Sequence, residues 1–349
     1  MRALLVYSFE NNTGVSAKAQ KIVDGFRNVG YDVDAIYFSS NRGKVTRFHE
    51  WLKIHIVFIY SVLRVRYDVI YARYAYYFGL IYVMAWILRC PLQVEINTNI
   101  QEELLQRGHA LRAKCDRLTM WIAFHAAKRL HVVTNQLKQL YQAAYPKADI
   151  VFNPNFVVSE QVPSHRVLIA GSVVNLVFLG HAGQPWHGVE KFIRGIIIGN
   201  QWFANNCCLH LVGQSTTQLD KLIAMHRLHD VVRSHGFLTG DAKTKTLGEM
   251  DVGIGCFDLA VKGLTEATPI KNGEYLHSGL ALLLGYEDSV CPSHLPFVGK
   301  VVLDASDVKD SFEAYIRRIR AIPNLRAMAH DYAKSHMLVE KYIKKIIAR

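Results

Sequence analysis

The sequence predicts an α/β protein of two doubly wound halves, each built on a parallel sheet, facing a central cleft. Three observations carry this. Apolar segments of strand length alternate with segments of helical period over residues 1–160 and again over 170–324. The stretch between them, 159–172, has turn residues and little periodicity. The 349 residues are 50% hydrophobic and 20% charged, which suits two packed domains of ordinary size rather than a disordered chain.

The first half opens with an apolar strand at 2–8, the loop NNTG (11–14), and a helix over about 15–29 that Gly30 ends. YDVDAIYF (31–38) alternates like a second strand. Residues 42–66 are basic and aromatic, with Trp51, Ile54, Phe58 and Val62 at helical spacing. Strands follow at 68–73, 91–97, 129–134 and 149–157, with helices at 74–88, 101–106, 111–128 and 136–144. This is one Rossmann-like domain. The second series has strands at 175–180, 207–213, 231–237, 251–257, 281–285 and 301–304. Its helices are at 189–198, 217–227 and 244–250, and two more, about 307–322 and 325–347, end the chain. A ligand held outside the carboxyl ends of the strands is the default for such open sheets.

Leu264–Gly279, LTEATPIKNGEYLHSG, reads as a loop turning into a short helix. Thr268 suits the N-cap, Pro269 the first helical position, and Gly279 the stop. Glu266 lies just before the cap, and Glu274 follows Pro269 by five residues, roughly 7.5 Å along the axis. Free N–H groups at the helix start attract an anion. A phosphate flanked by hydroxyls on both sides matches that layout, and a nucleotide sugar is such a ligand.

Lys and Arg number 41 against 29 Asp and Glu, a formal net charge of +12, and residues 1–160 hold 20 of the former against 12 of the latter. Nucleic acid, phosphorylated substrates or an anionic membrane suit that balance, with general solubility as the alternative. The segment 42–89 has eight Arg and Lys against Glu50 and Asp68, interleaved with aromatics. On an amphipathic helix this composition suits an anionic membrane surface, with a solvated basic face as the alternative. No nucleic-acid module accompanies it, so no nucleic-acid partner is expected. Cys90, Cys115, Cys207, Cys208, Cys256 and Cys291 form no C-x-x-C pair and read as reduced thiols, without structural zinc. MRALLVYSF reads as a strand rather than a signal peptide, and the apolar run 74–88 is shorter than the roughly 20 residues that span a bilayer. The expected location is cytoplasmic, peripheral at the inner face of the plasma membrane.

Glu266-x7-Glu274 resembles the E-x7-E signature of retaining GT-B glycosyltransferases, family 4 in particular, and Pro269-x-Lys271-x-x-Glu274-Tyr275 resembles a common variant within it. FLGHAGQPWHGVEKF (178–192) is similar to the family's donor loop, and LHLVG (209–213) to its glycine-ended strand. SHGFLTGDAKTKTLGEMDVGIGCF (234–257) is similar to the next two strands, and RLHVVTNQLKQLY with FNPN (152–155) to the region between the domains. The resemblance covers most of the chain and is strongest over 129–285. It implies the GT-B arrangement of two Rossmann-like domains. Residues 1–160 would bind the acceptor and 170–324 the nucleotide sugar, with the C-terminal helix 325–349 passing back onto the first domain.

By that resemblance, Glu266 would bind the donor sugar's hydroxyls, Glu274 the ribose, and the backbone around Ile270 and Lys271 the diphosphate. A carboxylate accepts two hydroxyl protons in a fork, which is the chemistry both acids need. Gly180, Gly188, Gly213, Phe237 and Leu238 fall in the donor segments. Where many members carry Arg and Lys in the donor loop, this chain has His181 and His187, which would neutralise phosphate only if protonated. Lys262, Lys271 or a group from the first domain would otherwise supply the charge. Gly14 matches the family's first glycine-rich loop, with a generic β–α turn as the alternative. Glu95 and Asn97, at a strand's carboxyl end, would stand where members often place a histidine and complete the catalytic set. There is no D-x-D, and neither metal nor cofactor is expected beyond the donor itself. The implied function is transfer of a sugar from a UDP-sugar to a hydroxyl of a glycan or lipid-linked saccharide in cell-surface polysaccharide biosynthesis. The alternatives are a UDP-sugar epimerase of the same fold and a non-catalytic glycan- or membrane-binding protein. A dinucleotide oxidoreductase is disfavoured, since residues 8–16 lack G-x-G-x-x-G.

Overall fold

A computed structural model of the chain describes residues 1–9, 14–39, 44–157 and 171–348. Most of the expected linker and part of the NNTG loop lie outside the described residues. The chain divides into two compact units, Met1–Val158 with Val339–Arg349 (unit 1) and Ser159–Leu338 (unit 2).

Unit 1 is a six-stranded parallel sheet in the order β2-β1-β3-β4-β5-β6. Its strands are β1 (Arg2–Phe9), β2 (Asp32–Ser39), β3 (Val69–Arg73), β4 (Leu92–Ile96), β5 (Arg129–Val132) and β6 (Ile150–Phe152). Strands buried on both faces read as continuous apolar runs. Accordingly Leu4, Val6, Ala72, Val94 and Val132 are all sealed from solvent. The helices between them are α1 (Gly14–Asn28), α2 (Lys44–Arg64), α3 (Gly79–Ile87), α4 (Ile100–Gln106), α5 (Ala110–Ala126) and α6 (Asn135–Ala144). Helix α3 packs on α2 and α5, forming one layer. Ile54 and Phe58 of α2 are buried, as the helical spacing predicts. The 74–88 run is a 3-10 turn, Tyr76–Phe78, leading into α3.

Unit 2 repeats the design with order β12-β11-β10-β7-β8-β9. Its strands are β7 (Val174–Leu179), β8 (Cys207–Val212), β9 (Val232–Gly236), β10 (Val252–Ile254), β11 (Ala281–Leu284) and β12 (Val298–Lys300). Its helices are α7 (Val189–Phe192), α8 (Gln201–Asn206), α9 (Thr217–Met225), α10 (Gly240–Gly248), α11 (Ile270–His277), α12 (Val308–Arg320) and α13 (Leu325–His336). A π-helical turn, Ile193–Ile197, continues α7. β7 and β10 are sequence-distant neighbours, so strand order reverses between them. That crevice is where open α/β sheets bind ligands.

Four expectations change. The last strand lies at 298–300 rather than 301–304, because its parallel ladder pairs only with Leu282–Leu284 and runs out with β11. Helix α11 starts at Ile270 with Pro269 in the extended cap position, one residue later than expected. The 325–347 helix is two helices: α13 packs on α11 in unit 2, and after a break at Met337, α14 (Val339–Ile347) packs on α1 in unit 1. Helix α8 is an element beyond those the sequence predicts, a short helix capped by Asn200, whose side chain accepts from Phe203 N. The stop at Gly279 follows the Schellman pattern: Gly279 is left-handed at φ +70°, its N–H bonds to Leu276 O, and Leu280 N–H bonds to Tyr275 O.

Candidate active site

The loop after β7 folds over the switch point. Gly180 leaves the strand at φ +131° and Gly213 leaves β8 at φ +133°. The two backbones touch: a Cβ on Gly213 would stand 2.1 Å from Gly180 O. His187 O accepts from Phe257 N at 3.0 Å and Trp186 O from Asp258 N at 3.2 Å, which ties the loop after β7 to the loop after β10. Gly188, left-handed at φ +63°, makes that approach possible, since a Cβ there would come 2.9 Å from Phe257 Cβ.

His187 donates from Nδ1 to His181 O at 2.6 Å, which leaves Nε2 as a lone-pair acceptor. Burial, then the neighbouring Lys271, pull its pKa down to about 3. His187 is therefore neutral at physiological pH. The cations gathered here are lysines. Lys271 Nζ lies 4.0 Å above the Phe178 ring and reaches Gly255 O at 3.4 Å. Burial lowers its pKa. Lys262 Nζ lies 3.8 Å over the Trp186 ring. Both amines are held by aromatic faces.

Glu274 is buried on α11, where its Oε1 meets Lys243 Nζ of α10 at 2.9 Å. Tyr275, next to it, anchors the switch point: its hydroxyl accepts from Leu179 N at 2.6 Å and faces Ile254 O at 3.3 Å. Glu266 is half-buried and accepts from Ser289 Oγ at 2.9 Å. The segment around Glu266 pairs with Glu287 through the backbone: Ala267 N bonds to Glu287 O, and Glu287 N to Thr265 O. That turn is held from beneath by Asp288, whose Oδ1 accepts from Val290 N and Cys291 N and whose Oδ2 accepts from Asn272 Nδ2 at 2.8 Å. Burial pushes the Asp288 pKa up to about 6. Ile270 opens α11, while Phe237, well exposed, and Leu238 lie in the loop leaving β9.

The unit 1 candidates are placed differently. Gly14 is the exposed first residue of α1. Glu95, expected to face a substrate, is sealed in the core. Lys18 Nζ pairs with its Oε1 at 2.9 Å, Asn97 donates to the same oxygen, and the hydroxyls of Tyr7, Tyr71 and Tyr342 converge on Oε2. Burial would raise the Glu95 pKa, but Lys18 and Arg73 beside it, with the Tyr342 and Tyr7 hydroxyls, hold it below the usual carboxylate range. With five donors on two oxygens, Glu95 is a fastener of α14 to the sheet rather than a catalytic group. Asn97 is half-buried and has one amide hydrogen spent on Glu95. Among the described residues no group of His, Cys, Asp or Glu is arranged to hold a metal ion.

Lys243, Ser289 and Asp288 belong to the site and were not read from the sequence. Lys243 meets Glu274 across 31 positions and Ser289 meets Glu266 across 23, while Asp288 acts through a turn that carries no motif.

The fold is that of the GT-B glycosyltransferases. No protein-family model matches the chain, and no curated protein matches it in sequence. Solved structures do match in fold. Sucrose-phosphate synthase from Thermosynechococcus elongatus superposes with a TM-score of 0.71 at 12% identity, over 99% of this chain and 97% of that one. The lipopolysaccharide outer core galactosyltransferase WaaB, in its apo form, gives 0.66 at 13% identity over 99% and 98%. Anabaena HepE in complex with UDP-glucose gives 0.67 at 13% over 99% and 98%. Identities this low establish the fold alone. Among the described residues, no helix is long and apolar enough to cross a membrane.

Proposed function

We propose that this chain is a retaining glycosyltransferase that moves a sugar from a UDP-sugar to a hydroxyl of a glycan or lipid-linked saccharide in cell-surface polysaccharide synthesis. One observation carries the reading: at the switch point of unit 2, α11 begins between two acids, with Lys262 and Lys271 held on aromatic rings of the adjoining loop and strand and with glycine backbones in close approach. Glu274, steered by Lys243, accepts from the ribose hydroxyls. The N–H groups at Ile270 and Lys271 meet the diphosphate. Lys271 and Lys262 balance its charge, in the place that a neutral His187 cannot fill. Glu266, held by Ser289, accepts from the sugar hydroxyls and sets the anomeric carbon.

In the reaction, the bond between the anomeric carbon and the diphosphate oxygen breaks, and the acceptor oxygen bonds to that carbon from the same face. The acceptor proton passes to the departing phosphate oxygen. Positive charge beside that oxygen stabilises it as it leaves. The fold likeness to WaaB and to HepE bound to UDP-glucose supports this reading. A thermal-shift panel of UDP-, GDP- and ADP-sugars tests it. Stabilisation by UDP-sugars is expected from binding linkage, and Glu266→Ala should retain UDP binding but lose turnover. No response to any nucleotide, or a response to NAD instead, would sink the proposal.

A further inference from the structure

Helix α2 carries apolar side chains on both faces. Ile54 and Phe58 enter the core, while Phe48, Leu52, Ile56 and Tyr60 recur every fourth residue on the outer face and continue to Leu63. Each of these five is at least 41% exposed. A solvent-facing helix surface is ordinarily polar. Nearby in the same helical layer, Trp86 of α3 and Trp121 of α5 pack edge to face with centroids 6.1 Å apart, and both stay nearly half exposed.

The stripe runs into a cavity of about 640 Å³ at the amino edge of the first sheet. Residues 65–68, 88–91 and 128, which line it, immediately precede β3, β4 and β5. This is the edge opposite to that where α/β sheets bind substrates. Arg64, Arg66, Arg89 and Lys128 line the cavity with one acid, Asp68. Cations near helix ends can serve only to offset the helix dipole, and α2, α3 and α5 all end here. The magnitudes decide against that alone. Three helix ends contribute roughly −1.5 charges and Asp68 about −1, against about +4 from the side chains, a surplus of about +1.5.

We propose that this face docks on an anionic lipid bilayer, the Phe48–Leu63 stripe and Trp86/Trp121 entering the interface and the Arg64/Arg66/Arg89/Lys128 cavity taking a lipid phosphate headgroup. The chemistry is complementary. An apolar and aromatic stripe flanked by Lys and Arg, with Glu50 the sole acid on α2, is what an interfacial helix requires. The docking surface lies wholly within unit 1 and stands apart from the nucleotide-sugar reading.

The test is co-sedimentation of the full chain with vesicles of phosphatidylcholine alone and of phosphatidylcholine with roughly one-third phosphatidylglycerol. The chain should pellet with the anionic vesicles only. Arg64→Gln/Arg66→Gln should lower partitioning roughly 25-fold, about fivefold per cation, and Leu52→Glu/Ile56→Glu should abolish it, both with an unchanged thermal shift by UDP-sugar. Inorganic phosphate at constant ionic strength should not displace the chain. Equal binding to neutral vesicles, binding to neither, or displacement by phosphate would overturn the proposal. So would a dimer in light scattering that Leu52→Glu/Ile56→Glu dissolves, since that would assign the stripe to a second copy. The wild-type comparison of the two vesicles decides even if a variant fails to fold.

Discussion

Lys18 and Glu95 form an ion pair at 2.9 Å with neither side chain reaching solvent. Removing one member of such a pair strands the other charge. Glu95→Gln should destabilise the chain by about 3–5 kcal/mol, and the double variant Lys18→Met/Glu95→Leu should cost less than either single change. Urea unfolding measures both. If Glu95→Gln kept full stability but lost turnover, Glu95 would return to the substrate side.

Lys271 and His187 adjoin the Phe178 ring, yet they should behave differently. Lys271→Met removes a cation from the proposed diphosphate site and should lower kcat by about 100-fold or more. His187→Gln should change it far less, because burial and Lys271 hold that imidazole near a pKa of about 3. The donor KM of the wild type should show no inflection from this group between pH 5 and 8. An inflection near the ordinary histidine value that His187→Gln removed would contradict this.

Asp288 sets a pH dependence whose sign can be worked out. Its folded pKa is raised to about 6 from 3.8, so between these values the folded state holds more proton than the unfolded one. Its contribution therefore favours folding at pH 4 and is lost as pH rises through 6, a change of about 3 kcal/mol. Asp288→Asn should flatten the stability curve over that window. Asp116, also raised to about 6 by burial, leaves a residual slope of the same sign.

Gly213→Ala should be poorly tolerated. The new Cβ would meet Gly180 O at 2.1 Å, and φ is +133°. A loss of about 3 kcal/mol or more, read as a fall in Tm, is expected from combined strain and clash. Gly30→Ala has open space around it and only a left-handed φ to resist it, and should cost less.

The fold was legible because its signals are local. The period change from strand to helix, the glycine at 279 and the acid spacing of 266 and 274 need no knowledge of distant chain. What was not legible depends on distance. Glu95 sits at a strand end, as a substrate-facing residue would. What seals it is Lys18 from α1 and Tyr342 from α14, which lies 247 residues away. The apolar periodicity of 325–347 carries on through Met337, so nothing local announced that the helix divides there. Lys243 lies in an unremarkable basic run, and only the packing of α10 beside α11 turns it towards Glu274.

The Tyr342–Glu95 contact also orders events during synthesis. Residues 1–157 leave the ribosome long before 339–347, and roughly ten to forty seconds separate them at 5–20 residues per second. Until then the Lys18–Glu95 pair lacks one of its hydroxyl donors, and α1 lacks the helix that covers it. Unit 1 is thus begun before unit 2 and completed only after it, and a stall or truncation inside unit 2 would leave an unfinished unit 1 as the species that chaperones and proteases meet.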